Sequence, residues 1–160
     1  MVQDVTKVIL GCGGNIEESR MTTLGAEFAV LMLVSGNWHT LNRLEKALEK
    51  LSDDDTLTFT IRKTDERPDK NDRMPYAVDV VCLDQQGIVF GLANFFAARN
   101  IEIADVATRR YAAAHTGAPM FAVQMAVNVP SSVHVAQLRE EFLEMSDRLN
   151  LDAILEPVKG

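Results

Sequence analysis

Phe28-Ala29-Val30-Leu31-Met32-Leu33-Val34 recurs as Phe121-Ala122-Val123-Gln124-Met125-Ala126-Val127, with five of seven positions identical. Both are short apolar runs of the kind that fills a buried strand, and their recurrence points to an internal repeat. The same order holds on either side. Downstream, Leu44, Leu48, Leu51, Ser52, Asp53 and Leu57 fall on Leu138, Phe142, Met145, Ser146, Asp147 and Leu151. Upstream, Asn15-Ile16-Glu17 matches Asn100-Ile101-Glu102, and Val2, Val5, Val8 and Ile9 fall on Val89, Leu92, Phe95 and Phe96. The offset moves from 87 to 85 to 94, which places insertions in loops while the element order is kept.

The second copy shows that order. Residues 76–83 form a short β-branched run closed by Asp84-Gln85-Gln86-Gly87. Ile88, Val89, Leu92, Phe95 and Phe96 then recur at helical spacing up to Arg99-Asn100. A strand over 101–111, a turn at His115-Thr116-Gly117-Ala118-Pro119 and a strand over 120–129 follow. Pro130-Ser131-Ser132 supplies a helix start, and Val135, Leu138, Phe142 and Met145 mark the apolar face of that helix. Residues 151–158 close the unit as a strand. The order β-α-β-β-α-β is the ferredoxin-like split βαβ, an α/β (α+β) fold.

The first copy parses as a helix over 2–10, a glycine turn at 11–14, strands over 16–24 and 27–35, a helix over 40–51 and a strand over 56–63. It has no strand before its first helix, because Met1 falls where Ile88 stands. Residues 1–64 are therefore expected as a first unit lacking its opening strand, 65–74 as a linker and 75–160 as a complete second unit.

Composition narrows the function. The 160 residues are 47% hydrophobic and 24% charged, the balance of a folded globular protein. The longest apolar run is far shorter than the about 20 residues of a membrane helix, and no export signal is evident. No membrane association is expected, and the expected location is the cytoplasm. The net charge is −7, with 10 basic and 13 acidic residues before Met74 and 6 and 10 from there on. A DNA binder needs a basic face, so direct nucleic-acid contact is not expected. Cys12 and Cys82, and His39, His115 and His134, are scattered singly, so no metal or redox site is read. No nucleophile–base pair and no paired carboxylates suggest an enzyme, and no cofactor is expected. Cys82 reads as a buried strand residue, Cys12 as a small loop residue, and Trp38 as packed under the helix that follows it.

Asp84-Gln85-Gln86-Gly87-Ile88-Val89 opening a helix, followed by Asn100-Ile101-Glu102 opening a strand, resembles the ACT domain pattern. Two such units in tandem, with Gly11-Cys12-Gly13-Gly14-Asn15-Ile16-Glu17-Glu18-Ser19-Arg20-Met21 and Gly36-Asn37-Trp38 in the first, resemble the glycine cleavage system transcriptional repressor family. The Asp-Arg-Pro-Gly turn of that family is absent ahead of the first helix. The resemblance implies an amino-acid sensor, for which glycine is one candidate ligand. It also implies a homo-oligomer that acts on a DNA-binding transcription factor by protein contact.

The candidate ligand site follows from helix-end chemistry. Asp84, Gln86, Gly87 and Ile88 precede or open a helix, where free N–H groups and the positive dipole end can hold a carboxylate. Asn100 and Ile101, of the same or a neighbouring unit, would complete the pocket, with Gly13, Gly14, Asn15 and Ile16 as the matching turn of the first unit. The competing reading is local: Asp84 caps the helix, Gly87 permits the turn, and Asn15 and Asn100 are turn-formers. At the level of the whole protein, the alternative to a sensor is a ligand-free interaction module that mediates oligomerisation.

Overall fold

The computed structural model describes residues 1–53, 56–69 and 71–159; Lys70, within the expected linker, lies outside the described residues. The chain divides into two compact units, Met1–Glu66 and Arg67–Gly160. The fold is the ferredoxin-like α+β class read from the sequence.

In unit 2, β3 (Arg73–Leu83), α3 (Ile88–Ala97), β4 (Glu102–Ala112), β5 (Pro119–Pro130), α4 (Val135–Arg148) and β6 (Asp152–Pro157) follow in that order. The sheet runs β4-β5-β3-β6, with antiparallel neighbours throughout. Alternation decides which face is buried: Tyr76, Val78, Val80 and Cys82 of β3 and Val123, Met125, Val127 and Val129 of β5 point into one core. Both helices cover that face. Ile88, Leu92, Phe95 and Phe96 come from α3, and Leu138, Phe142 and Met145 from α4. Phe95, Phe96 and Phe142 meet with ring centroids 5.2–6.0 Å apart. Arg99 lies over the Phe95 ring at 3.8 Å and donates to Glu141 Oε2 at 2.6 Å, which holds the Glu141 carboxyl below its ordinary range. Cys82 is buried as expected, and burial, then the neighbouring Asp84 charge, pushes its thiol up. The start of α4 differs from expectation: its N-cap is His134, and Ser131 instead donates its backbone N–H to the Asp72 carbonyl.

In unit 1, α1 (Val2–Gly11), β1 (Asn15–Leu24), β2 (Glu27–Ser35) and α2 (Trp38–Leu51) form, and among the described residues the sheet consists of β1 and β2. Ile9, Cys12, Leu44 and Leu48 make a small core. The expected strand over 56–63 does not form, since 57–63 enters no ladder among the described residues. The reason is visible in unit 2, where the closing strand β6 pairs only with the opening strand β3. The described residues of unit 1 contain no opening strand. Trp38 also departs from expectation. It is the first residue of α2, two residues before buried Thr40 and so about 200° round the helix from it; it is 68% exposed, with its ring edge-on to that of His39.

The helix ends correct the repeat alignment. In α1, Gly13 has φ +81°, its N–H donates to the Leu10 carbonyl, and the Gly14 N–H donates to the Ile9 carbonyl, both at 3.0 Å. In α3 the same pair of bonds runs from Asn100, at φ +56°, to Ala97 and from Ile101 to Phe96. These are Schellman stops, which need one residue in the left-handed region. Asn100 therefore corresponds to Gly13 and not to Asn15. Strand register agrees, because Ile16 faces Val34 as Ile103 faces Val127, and both first strands bulge one residue later. The offset is thus a constant 87 through the first helix and strand. It grows to 93 across the hairpin, where Leu24↔Glu27 corresponds to Tyr111↔Met120 and the second loop is longer by six residues.

This geometry makes a direct test. Alanine at 100 forces a Cβ-bearing residue without local side-chain hydrogen bonding into the left-handed region, so Asn100→Ala should lower stability by about 1 kcal/mol. Asn100→Gly should be within about 0.5 kcal/mol of the parent. Urea melts of both variants check this; equal losses in the two would show that the amide matters rather than the backbone.

Candidate functional site

The residues expected to form one pocket lie at two ends of unit 2. The 84–87 turn leads into the first turn of α3, whereas Asn100 and Ile101 follow its last turn, with a helix about 15 Å long between them. Sheet register places them likewise: Leu83 and Tyr111 both face Met120 at one end, and Arg73 and Glu102 face Pro130 and Asn128 at the other. Within one unit the structure does not bring the two groups together.

At the first end, Gly87 is the N-cap of α3 with φ +83°, and no side chain caps the helix. Asp84 is thus not the capping residue. Its backbone N–H donates to the Pro119 carbonyl at 2.9 Å, and its Oδ2 lies 2.7 Å from Arg110 Nη2. Gln85 donates to the Leu149 carbonyl at 2.9 Å, which ties the turn to the end of α4, while Gln86 is exposed and Ile88 is buried. The turn presents first-turn N–H groups without a side-chain acceptor, with a carboxylate and a guanidinium beside them. Such a helix start favours an anion, and the Asp84 carboxylate can accept from an ammonium. Arg110, on β4, joins the site through its ion pair with Asp84.

At the second end, Arg73, Ala97, Asn100, Ile101 and Glu102 line a pocket of about 360 Å³. A second pocket of about 300 Å³ opens beside it between the start of β3 and the end of β5, with Arg73 common to both. Glu102 lies 2.9 Å from Arg67 and 3.7 Å from Arg73. Nε of Arg73 is buried without a partner among the described residues. Arg67 and Arg73 both fall in the 65–74 stretch that the sequence reads as a linker, so nothing there marks them as site residues.

In unit 1, Gly13, Gly14, Asn15 and Ile16 sit at the C-terminal end of α1, where the dipole favours cations over carboxylates. A Cβ on Gly14 would lie 3.1 Å from Ile9 and Val34 side-chain atoms, so this glycine serves close packing. Ser35 Oγ, and after it Asn15 Nδ2, donate to Glu17 Oε1, which holds the Glu17 carboxyl below its ordinary range. No cluster of histidine, cysteine and acidic residues suited to a metal occurs among the described residues. No helix there is long and apolar enough to cross a membrane.

The ACT domain profile matches residues 1–62. The glycine cleavage system transcriptional repressors of Escherichia coli (strain K12) and Shigella flexneri are each 27% identical over 150 residues, covering 94% of this chain and 79% of theirs. A solved structure of a protein proposed to be a glycine cleavage system transcriptional repressor superposes with a TM-score of 0.76 at 26% identity, over 100% of this chain and 90% of that one. A protein of unknown function from Galdieria sulphuraria shares the fold with a TM-score of 0.77 at 23% identity, over 99% of this chain and 90% of its own. Residues 1–62 match the ACT domain, and the chain as a whole is similar to the glycine cleavage system transcriptional repressors.

Proposed function

We propose that this regulatory protein senses a small amino acid, glycine being the first candidate, and passes the signal to a DNA-binding transcription factor by protein contact, as a homo-oligomer. The observation that carries the reading is the match to glycine cleavage repressors over 94% of the chain. The acidic balance of −7 supports action through a protein partner instead of on DNA directly.

The ligand's carboxylate sits on the first-turn N–H groups of α3, and its ammonium on Asp84. The charge at each helix end supports this choice, since Asn100, Ile101 and the 13–16 turn all lie at C-terminal ends. A thermal-shift screen against the twenty amino acids tests it. One or a few small amino acids should raise the melting temperature, with about 2.7 kcal/mol of stabilisation at a hundred times Kd. Asp84→Asn should abolish that shift while Asn100→Gly keeps it. A shift lost only in Asn100→Gly would move the ligand to the pocket at the other end of α3.

The ligand-free interaction module is supported by apolar side chains left in solvent, among them Leu31 at 76%, Phe90 at 76% and Trp38 at 68% exposure. A flat screen on a cooperatively melting oligomer would favour it.

A further inference from the structure

The cavity of about 300 Å³ in unit 2 lies at the Arg73↔Pro130 end of the sheet, away from the 84–87 turn at the Leu83↔Met120 end. Its volume is that of a small-molecule site. Met74, Val129, Pro130, Val133 and Val135 give it an apolar wall, while exposed Asn71, Asp72 and Ser131 form a polar rim.

Two polar side chains of the lining are under-satisfied. Tyr76 is 5% exposed, and its hydroxyl has no hydrogen-bond partner among the described residues. The Arg73 side chain is 16% exposed, and its Nε is sealed from solvent without a partner among the described residues. Its Nη1 reaches Glu102 Oε2 only at 3.7 Å, beyond hydrogen-bond range. Arg67 already takes the other oxygen of Glu102 at 2.9 Å, so one carboxylate faces two guanidiniums. A largely buried cation in this condition favours a further acceptor.

Polarity places that acceptor in this cavity and not in the neighbouring pocket that shares Arg73. The neighbour holds Glu102 and the C-terminal end of α3, and both disfavour an anion. This cavity borders the start of α4, whose first residue is Val135 and whose N-terminus has no side-chain cap.

We infer that the cavity binds a small monocarboxylic acid with a short apolar body. The carboxylate accepts from the Tyr76 hydroxyl and pairs with Arg73, and the body packs against Val129, Val133 and Val135. An inorganic anion would have nothing to bury against that wall, and a cavity of this size does not hold a long acyl chain. The site is separate from the 84–87 turn and does not depend on the ligand reading above.

The test is a titration of the full chain with isovalerate, 2-oxoisovalerate and valine, which share one branched carbon skeleton, followed by amide chemical shifts in NMR. At least one should bind saturably, with shifts grouped at 73–76 and 129–137. Arg73→Gln should weaken binding by about tenfold or more and Tyr76→Phe by about fivefold, since each removes a hydrogen bond to a charged group. Tyr76→Phe keeps the ring in the core, so its loss is read on a folded chain, and Arg73→Lys should recover part of what Arg73→Gln loses. Valine binding best would support the site and place the ammonium on Asp72. Equal or better binding of the other two acids would support it with a ligand that has no amino group. The inference is overturned if none of the three shifts these amides, if isoamyl alcohol or inorganic phosphate binds as tightly as isovalerate, or if Arg73→Gln and Tyr76→Phe both leave affinity unchanged. Valine shifts confined to 84–88 and lost in Asp84→Asn would also overturn it, while supporting the site at the start of α3.

Discussion

Phe96→Ala is expected to destabilise unit 2 by about 3–5 kcal/mol, the largest loss from any single truncation to alanine in this chain. Phe96 is fully buried, and its ring meets both Phe95 and Phe142 at the junction of α3 and α4. Truncation leaves a cavity between two helices anchored to the same sheet face, so the walls cannot collapse to refill it. The aromatic residues give a direct readout. Trp38 is the single tryptophan and belongs to unit 1, while both tyrosines, Tyr76 and Tyr111, belong to unit 2. Denaturant melts should show the midpoint of the tyrosine signal falling sharply. A change under about 1 kcal/mol would mean that α3 is not docked as described.

The second large effect comes from one substitution made twice. Val123→Asp buries an unpaired carboxylate at the centre of the unit 2 sheet and should cost about 4 kcal/mol or more. Val30→Asp puts the same carboxylate on a side chain that is 39% exposed, where water still solvates it, and should cost less than about 1 kcal/mol. Circular dichroism melts of the two variants would settle the comparison. Equal losses would mean that unit 1 is as closed around Val30 as unit 2 is around Val123.

Most of the fold was legible from neighbours in the chain. The spacing of Ile88, Leu92, Phe95 and Phe96 dictates a helix with one buried face, and all four are buried. The two strand cores at 28–34 and 121–127 lie within β2 and β5. Residues 56–63 misled for a physical reason. Their alternation satisfies the local requirement of a strand, but a strand exists only when another one completes its ladder. The matched Asn-Ile-Glu triplets misled differently, because identity of letters pulled the alignment two residues away from the helix stops. Gly13 and Asn100 share a backbone conformation without sharing a side chain.

The candidate site was legible in part. The 84–88 sequence signals a helix start open to an anion, and α3 does begin there without a side-chain cap. The addition of Arg110 to Asp84, and of Arg67 and Arg73 to Glu102, could not be read, since those partners lie 26 to 35 residues apart in the chain and meet only in the folded unit.

The sequence alone determined the repeat, the element order and the helix-start chemistry, because periodicity and turn preference act over a few bonds. Tertiary structure alone decided which carboxylates meet arginines and how deeply each copy of one side chain is buried. Val30 and Val123 make that division plain. They have the same side chain in the same local pattern, and they differ because β5 has β3 beside it while β2 has no such neighbour among the described residues.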